Sequence, residues 1–270
     1  MTGTGALVDG PLVRIDDVLV HAFTHDKVVQ CVTAELAAGR GGHLVTPNVD
    51  ILRQMRDPTL HPIGTSARIM VADGAPLIWA SRLQGTPLPE RVTGSQLIWS
   101  LTAAAERNEW RVFLLGGGPG VAARAAEVMH ERFVDLPRVS THCPPFGFEH
   151  SPAEMRNIRN ALLAASPDLV FIGLGFPKQD LLAAQLRDVL PHAWFVGCGG
   201  AISFVAGTTH RAPEWIQRWG LEWLHRLTRE PRRLARRYLV DDAPFALRLL
   251  LNAAFRGLAA RIPIRRTKGG

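Results

Sequence analysis

The acidic side chain best placed for chemistry in this 270-residue sequence is Asp73, in the turn-like segment 72–76 (ADGAP). It follows a short apolar run, 68–72, that predicts a β-strand. Catalytic residues of open α/β sheets collect beyond the carboxyl ends of their strands. An ionised carboxylate there would suit a general base acting on a hydroxyl group. The alternative is an Asx-turn, in which Asp73 serves only the local backbone.

A second polar turn, Thr46-Pro47-Asn48-Val49-Asp50, follows the strand-like run 43–45. The hydroxyl of Thr46 and the amide of Asn48 can face a ligand from such a turn. They can equally cap the helix that follows, and the residues alone leave both interpretations open.

A glycine run, Gly116-Gly117-Gly118-Pro119-Gly120, separates a predicted buried strand (111–115) from a predicted helix (121–133). Its backbone N–H groups and the helix N-terminus would suit a phosphate. The spacing is not the G-x-G-x-x-G of dinucleotide-binding proteins, because Val121 occupies the last glycine position. This argues against a Rossmann oxidoreductase, as does the lack of a clear acidic partner for a ribose.

A third candidate turn, residues 173–180 (GLGFPKQD), follows the predicted strand 169–174. Its glycines allow close backbone approach, while Lys178 and Gln179 offer a cation and an amide at the end of that strand. These groups suit a nucleotide or a sugar. The alternative is a plain βα turn with an exposed lysine.

The positive charge of the chain is concentrated at its C-terminal end. Residues 1–206 carry 17 Lys and Arg against 19 Asp and Glu, whereas residues 207–270 carry 14 against 5. The whole formal charge of +7 therefore comes from the last quarter, which indicates an anionic partner. The alternative is a solvated basic face. The arginines are Arg211, Arg218, Arg226, Arg229, Arg232, Arg233, Arg236 and Arg237.

The same C-terminal segment has helical patterning. Trp215, Trp219 and Trp223 are spaced i, i+4 and i+8, which predicts one helical face. A break at Pro231, a short helix over 232–238 and a longer apolar helix over 244–262 are predicted next. That last helix carries a narrow polar stripe and is able to pack on the domain or lie in a membrane interface. The stripe is Arg248, Asn252 and Arg256.

Strands alternating with helices over residues 1–206 predict an α/β fold with a mostly parallel, Rossmann-like sheet flanked by helices. Residues 207–270 form a second unit, a basic, Trp- and Arg-rich helical appendage. The tryptophan face has three candidate partners: the domain, lipid, or a neighbouring subunit in a homo-oligomer. Nucleic acid is a competing partner for the basic segment, since Trp can stack on bases, but it leaves the apolar helix unexplained.

The remaining composition restricts location. Three sparse cysteines without metal-ligand spacing (Cys31, Cys143 and Cys198) favour a reducing cytoplasm. No signal peptide is recognisable, and no uncharged stretch reaches the ~20 residues that span a bilayer. We therefore expect a cytoplasmic protein lying on the inner face of a membrane.

Taken in order, the motifs from about Thr46 to Tyr238 resemble the WecG/TagA/CpsF family of bacterial glycosyltransferases. The most specific part is the C-terminal segment 207–238, with its R-A-P-x-W, G-L-E-W-L-x-R-L and E-P-R-R-L pieces. The upstream segments TPNVD, ADGAP, ERVTGSQL, FLLGGGPGVA and GLGFPKQD match in the same order.

The resemblance implies an inverting, metal-independent transfer, without a cofactor, from a UDP-sugar to a polyprenyl-diphosphate-linked sugar. Family members of this kind feed wall teichoic acid, enterobacterial common antigen or exopolysaccharide synthesis. Carried over by motif position, Asp73 would be the general base, Thr46 and Asn48 would line the donor-sugar site, and Gln179 would contact the donor. Three arginines would meet the diphosphates: Arg226, Arg233 and Arg236.

Two positions depart from the family pattern. Ser203 stands where many relatives have an acidic residue, and Gln96 stands where relatives often have Asp or Glu. Both side chains are expected to touch nucleotide or sugar, so the donor sugar can differ from the N-acetylmannosamine type. The prediction is a UDP-sugar glycosyltransferase acting on a lipid-linked acceptor, with a nucleic-acid-binding α/β module as the alternative.

Overall fold

A computed structural model of the chain describes residues 8–209, 212, 213, 216, 219, 220 and 222–261. Eight strands are present in this part of the chain. The first two, β1 (Leu12–Ile15) and β2 (Val18–His21), form an antiparallel hairpin at the edge of the molecule. The other six are β3 (Gly42–Val45), β4 (Ile69–Met70), β5 (Val112–Gly116), β6 (Ser140–His142), β7 (Leu169–Gly173) and β8 (Trp194–Gly197).

These six strands form one sheet, in the order β4-β3-β8-β7-β5-β6, and every neighbouring pair is parallel. Nine α-helices accompany the strands within residues 8–209, with short 3-10 turns at Pro58–Leu60 and Phe148–His150. The helices are α1 (His25–Ala37), α2 (Val49–Gln54), α3 (His61–Ser66), α4 (Ala75–Leu83), α5 (Gly94–Arg107), α6 (Val121–Arg132), α7 (Pro152–Ala165), α8 (Lys178–Leu186) and α9 (Ala201–Val205).

Both faces of the sheet are buried, as parallel sheets require. Alternate side chains along each strand enter different layers. Leu114, Phe171 and Val196 pack with α1, α5, α6 and α9. Phe113 and Val170 face the other way, toward α7 and α8. The predicted fold class, a mostly parallel Rossmann-like sheet flanked by helices, is therefore confirmed.

Most of the predicted strands are found within one or two residues of their expected bounds. The run 68–72 is an exception, because only Ile69 and Met70 pair with a neighbouring strand. Beyond these two residues the backbone is held by isolated hydrogen bonds. Val71 N–H donates to the carbonyl oxygen of Val45 at 3.1 Å, and Asp73 N–H donates to the carbonyl oxygen of Pro47 at 2.8 Å.

The C-terminal segment is helical, as predicted, but its first part differs in detail. The single helical face predicted for the three tryptophans is wrong. Trp219 lies in a turn with Gly220, whose φ of +71° is incompatible with a continuing helix. Trp223 lies in the next helix, α10 (Glu222–Arg229), and Trp215 falls outside the described residues.

The short helix predicted over 232–238 is replaced by two elements. Helix α11 (Pro231–Ala235) is followed by seven residues of π-helix, Arg236–Asp242. The predicted apolar helix over 244–262 is confirmed as α12 (Ala243–Arg261). In the part of the chain that the structure describes, no helix combines the length and the apolar character that crossing a membrane requires.

Helix α12 packs one apolar stripe on the α/β layers and exposes another. Phe245, Leu249 and Ala253 are buried in the same cluster as Val45 and Met70 of the sheet. The division of the chain at residue 206 stays a prediction, although this shared cluster shows that α12 completes the core. A second stripe remains exposed on the other side of the helix and is called the exposed apolar stripe below; it consists of Leu247, Leu251, Phe255 and Leu258.

Candidate active site

The predicted site residues come from loops at the carboxyl ends of the parallel strands. After β5 the chain enters α6, which packs on one face of the sheet, and after the neighbouring β7 it enters α8 on the opposite face. Adjacent strands whose connections leave in opposite directions open a crevice between them, where α/β proteins bind ligands.

The glycine run forms one wall of this crevice. Gly116 is the last residue of β5 and pairs with Gly173 of β7. A Cβ atom on Gly116 would lie 2.7 Å from the carbonyl oxygen of Gly173, so no larger residue fits. Gly117 N–H donates to that same oxygen at 3.1 Å. Gly116, Gly117 and Gly118 all have positive φ angles, which favour glycine, so the backbone along this wall carries no side chains of its own.

Thr46, Asn48 and Asp73 lie together at the ends of β3 and β4. Thr46 is buried, and Asn48 is the N-cap of α2, with its Oδ1 accepting the Ile51 N–H at 3.0 Å. The capping interpretation of Asn48 is therefore confirmed. The bond from Asp73 N–H to Pro47 places the half-buried Asp73 beside this turn. A Cβ on Gly74 would contact the Asn48 Cβ at 3.7 Å.

Gln179 and Lys178, although adjacent, face different surroundings. Gln179 is only 4% exposed, and its Oε1 accepts the Gly199 N–H at 3.1 Å, which ties α8 to the loop after β8. Lys178 forms an ion pair with Glu149 in the loop after β6. Its Nζ lies 4.8 Å from the ring centre of Phe146, which is 100% exposed. Phe146 was not predicted as a site residue, because its only signal in the sequence is an aromatic side chain in a Pro- and Gly-rich turn.

The two departures from the family pattern lie on helices that pack against each other. Gln96 is exposed in the first turn of α5, where its N–H donates to Thr93 Oγ1 and its Oε1 accepts from the same hydroxyl at 2.9 Å. Ser203 is half-buried in α9, and its carbonyl oxygen accepts the Thr208 N–H at 3.1 Å. Both helices adjoin the loop that follows β8, because a Cβ on Gly94 of α5 would lie 3.1 Å from the Cys198 Cα and α9 begins at Ala201.

The C-terminal segment covers this edge of the sheet. Gly220 lies so close to the first turn of α4 that a Cβ on it would be 2.5 Å from the Cβ of Ala75, two residues after Asp73. In α10, Glu222 lies 3.8 Å from Arg91, which precedes α5. Neither residue was predicted to have a role, although Arg91 belongs to the ERVTGSQL motif.

Of the three arginines expected at the diphosphates, Arg226 lies beside α9, the helix that follows the β8 loop. Its guanidinium lies 5.1 Å from the ring centre of Phe204 in α9 and 3.3 Å from Glu222. Arg236 is exposed at the start of the π-helix. Arg233 lies in α11, but its side chain is outside the described part of the structure.

The floor of the site contains a thiol that burial keeps protonated. Cys198 follows β8 and lies under α5, since a Cβ on Gly94 would be 3.1 Å from its Cα. Burial, with a smaller contribution from Asp180, raises the pKa of Cys198 to about 12. Among the described residues, no group of three or more His, Cys, Asp or Glu side chains is arranged to hold a metal ion.

The fold and the site define an α/β protein whose polar loops lie together at the carboxyl edge of a parallel sheet, next to a helical cover made of α10, α11, the π-helix and α12. Residues 13–258 match the model of the glycosyl transferase WecG/TagA/CpsF family. The chain belongs to this family and is a glycosyltransferase, which confirms the resemblance and the predicted class of enzyme.

A relative of known activity comes from Bacillus spizizenii. It is 31% identical over 205 residues, which cover 76% of this chain and 77% of the relative. That protein is an N-acetylglucosaminyldiphosphoundecaprenol N-acetyl-beta-D-mannosaminyltransferase.

Proposed function

We propose that this glycosyltransferase moves N-acetylmannosamine, or a closely related hexose, from a UDP-linked donor to N-acetylglucosaminyl-diphosphoundecaprenol. The observation that carries the proposal is the grouping of Asp73 with Thr46 and Asn48 under the turn at Gly220. The activity of the Bacillus spizizenii relative supports the choice of acceptor and of transferred sugar.

In the proposed reaction Asp73 takes the proton of the acceptor hydroxyl. The oxygen attacks the anomeric carbon of the donor from the side opposite the nucleotide, a new C–O bond forms, and the bond to UDP breaks with its electron pair leaving on the phosphate. The transfer therefore inverts the configuration at that carbon. The β-linked product named for the relative agrees with inversion of an α-linked donor.

The departing UDP gains negative charge that must be stabilised. We propose that the N-terminal end of α6 at the Gly116–Gly120 run and the Lys178 ammonium stabilise it. The Gly117 N–H is already bonded to the Gly173 carbonyl oxygen, and Lys178 is paired with Glu149. Arg226 approaches from the cover, and we assign the same role to Arg233 and Arg236. Guanidinium groups bind phosphate oxygens through two parallel bonds, so we propose that these arginines serve in place of a metal ion.

We further propose that the cover places the enzyme on an anionic membrane at the cytoplasmic face. The exposed apolar stripe of α12 is flanked by Arg248 and Arg256, both exposed. Apolar side chains next to basic ones are the pattern of a helix lying in a membrane interface. The polymer served by the product belongs to the cell-surface polysaccharides, such as a teichoic acid or an exopolysaccharide.

Release of UDP from a panel of UDP-sugars tests the reaction. Each donor is supplied with and without the polyprenyl-diphosphate-linked N-acetylglucosamine acceptor, in detergent and in the presence of EDTA. We expect acceptor-dependent release from UDP-N-acetylmannosamine that EDTA leaves unchanged. Release from a different hexose would identify another donor sugar. Failure to release UDP from every donor, in a folded sample that binds UDP, would overturn the proposal.

The departures at Ser203 and Gln96 give this panel a second use. If they set donor choice, Ser203→Asp and Gln96→Glu variants will shift the ratio of kcat/KM between donors while the acceptor stays the same. A panel in which both variants keep the wild-type order of donors would remove these two residues from donor selection.

A further inference from the structure

A cluster of four charged residues joins the C-terminal cover to the turn that carries Asn48. It consists of Asp50 and Arg53 on α2 and of Arg237 and Asp242 at the two ends of the π-helix, and we call it the Asp50–Arg237 cluster. The carboxylate residues are only 6% and 7% exposed. Nothing in the proposed reaction uses these residues, although Asp50 is two positions from Asn48.

The bonds of the cluster cross between the two parts of the chain. Arg237 Nη2 lies 2.8 Å from Asp50 Oδ2, and Arg53 Nε lies 3.2 Å from Asp242 Oδ1. Within α2, Arg53 Nη2 and Gln54 Nε2 bind the two oxygens of Asp50 at 2.6 and 2.8 Å. Each carboxylate therefore contacts one arginine from each side, and the four formal charges cancel.

The π-helix makes this arrangement possible. In an α-helix, residues five apart are rotated by about 140° and point to different sides. In a π-helix, hydrogen bonds join residues five apart, so Arg237 and Asp242 lie near each other on one side. Their closest atoms, Arg237 Nε and Asp242 Oδ2, are 3.6 Å apart. Short π-helical segments are rare and frequently lie at functional sites.

The buried charges of the four residues depend on one another. Burial, with a further contribution from Asp50, raises the pKa of Asp242, and the two arginines oppose that rise. Removing one partner of such a buried pair leaves the other charge without compensation, which is more costly than the pair itself is stabilising. The cluster therefore favours one docked position of the cover over positions in which its charges separate.

We propose that Asp50 and Arg237 are positioning residues, which set the cover over the donor site so that Arg226 and Arg236 reach the diphosphates. Arg236 adjoins Arg237 in the chain, and α2 begins at the Asn48 cap, so a shift of the cluster moves both sides of the site. The proposal rests on the proposed function for its kinetic test, but not for its structural test.

The structural test is hydrogen–deuterium exchange followed by mass spectrometry. In Asp50→Asn and in Arg237→Gln, we expect faster exchange over residues 222–242 and unchanged exchange in β5, β7 and β8. The control is Arg124→Gln, which breaks exposed ion pairs on α6 and should change neither region. Wild-type exchange over 222–242 in both cluster variants would overturn the proposal, whatever reaction the enzyme catalyses.

The kinetic test is a double-mutant cycle in acceptor-dependent UDP release. We expect each single variant to lower kcat/KM for the acceptor by about tenfold or more, and the double variant to be no worse than the single ones, because both remove one shared contact. UDP affinity should also fall, because Arg226 and Arg236 would no longer reach its diphosphate, and Arg237→Lys should recover part of both losses because it keeps the charge.

The outcomes separate the two proposals. Additive losses in the double variant, or faster exchange in β5, β7 and β8 as well as in residues 222–242, would mean general destabilisation and would overturn the positioning role. If wild type itself releases no UDP from any donor, the proposed function fails, while the exchange experiment still decides whether the Asp50–Arg237 cluster holds the cover in place.

Discussion

At the scale of single residues, the site depends on backbone contacts as much as on side chains. Asp73 is held beside Asn48 by its own N–H, which donates to the carbonyl oxygen of Pro47. Because this hydrogen bond is made by the main chain, the backbone at position 73 should keep its place when the side chain is substituted. This makes Asp73 well suited to substitution experiments.

The first prediction concerns the Asp73 carboxylate. Asp73→Asn keeps the shape of the side chain but cannot accept a proton, so we expect kcat to fall by about 10²- to 10⁴-fold with unchanged thermal unfolding. The measurement is acceptor-dependent UDP release. Asp57→Asn is the matched control, because Asp57 is an exposed helix cap and Asn caps equally well. A near-normal rate in Asp73→Asn would assign the base to another group.

A second prediction concerns the thiol beneath the site. With a pKa of about 12, Cys198 would be thiolate in only about one molecule in ten thousand at pH 8. We expect iodoacetamide to label the half-buried Cys143 first and to leave Cys198 unmodified until urea unfolds the protein. Labelling of Cys198 in the native enzyme, detected by peptide mass spectrometry, would show that this part of the core opens.

At the scale of elements, strands and turns were predictable because their signals are local. Apolar runs ending in glycine or proline mark β3, β5, β7 and β8 closely. The prediction of one tryptophan face was wrong because it rested on residue spacing alone. Gly220, which has a positive φ, interrupts the helix between Trp219 and Trp223. The ion pairs of the π-helix were also beyond prediction, because they join residues far apart in sequence, such as Arg53 and Asp242, which are separated by 189 positions.

The exposed apolar stripe of α12 carries the third prediction. Leu251→Ser combined with Phe255→Ser removes two side chains from the exposed apolar stripe, so we expect at least about tenfold weaker binding to anionic vesicles. Vesicle sedimentation measures it. Leu163→Ser serves as the control, because Leu163 is exposed to a similar degree on α7. Equal vesicle binding by the double variant and wild type would show that α12 does not face lipid.

At the scale of the whole molecule, the basic C-terminal segment and the α/β layers are not independent. The sequence predicts a separate appendage because the charge changes sign at residue 207. Charged side chains lie mainly on the solvent-facing surface, so their distribution along the sequence does not predict which side chains of α12 are buried. Family motifs identified the candidate site residues, whereas the contacts of Arg91, Glu222 and Phe146 became visible only when distant loops were brought together.

The fourth prediction follows from the shared core. A chain ending at Gly207 loses Phe245, Leu249 and Ala253 from their cluster with Val45 and Met70. Because burying one Phe or Leu side chain contributes about 1.5–3 kcal/mol, we expect a lower Tm and stronger binding of a hydrophobic dye. A chain ending at Arg261 keeps the buried stripe and is the control. Equal Tm values for the two chains would show that the α/β layers are stable alone.

Helix α4 connects the turn that carries Asp73 to helix α12. It begins two residues after Asp73 and ends at Leu83, whose carbonyl oxygen would lie 2.0 Å from a Cβ on Gly257 of α12. Nine helical residues span only about 13 Å, and such contact leaves no slack between the two helices. On the proposed lipid surface, a tilt of α12 would therefore displace α4 and, with it, the turn that carries Asp73, so that contact with the bilayer and the position of the proposed base would change together.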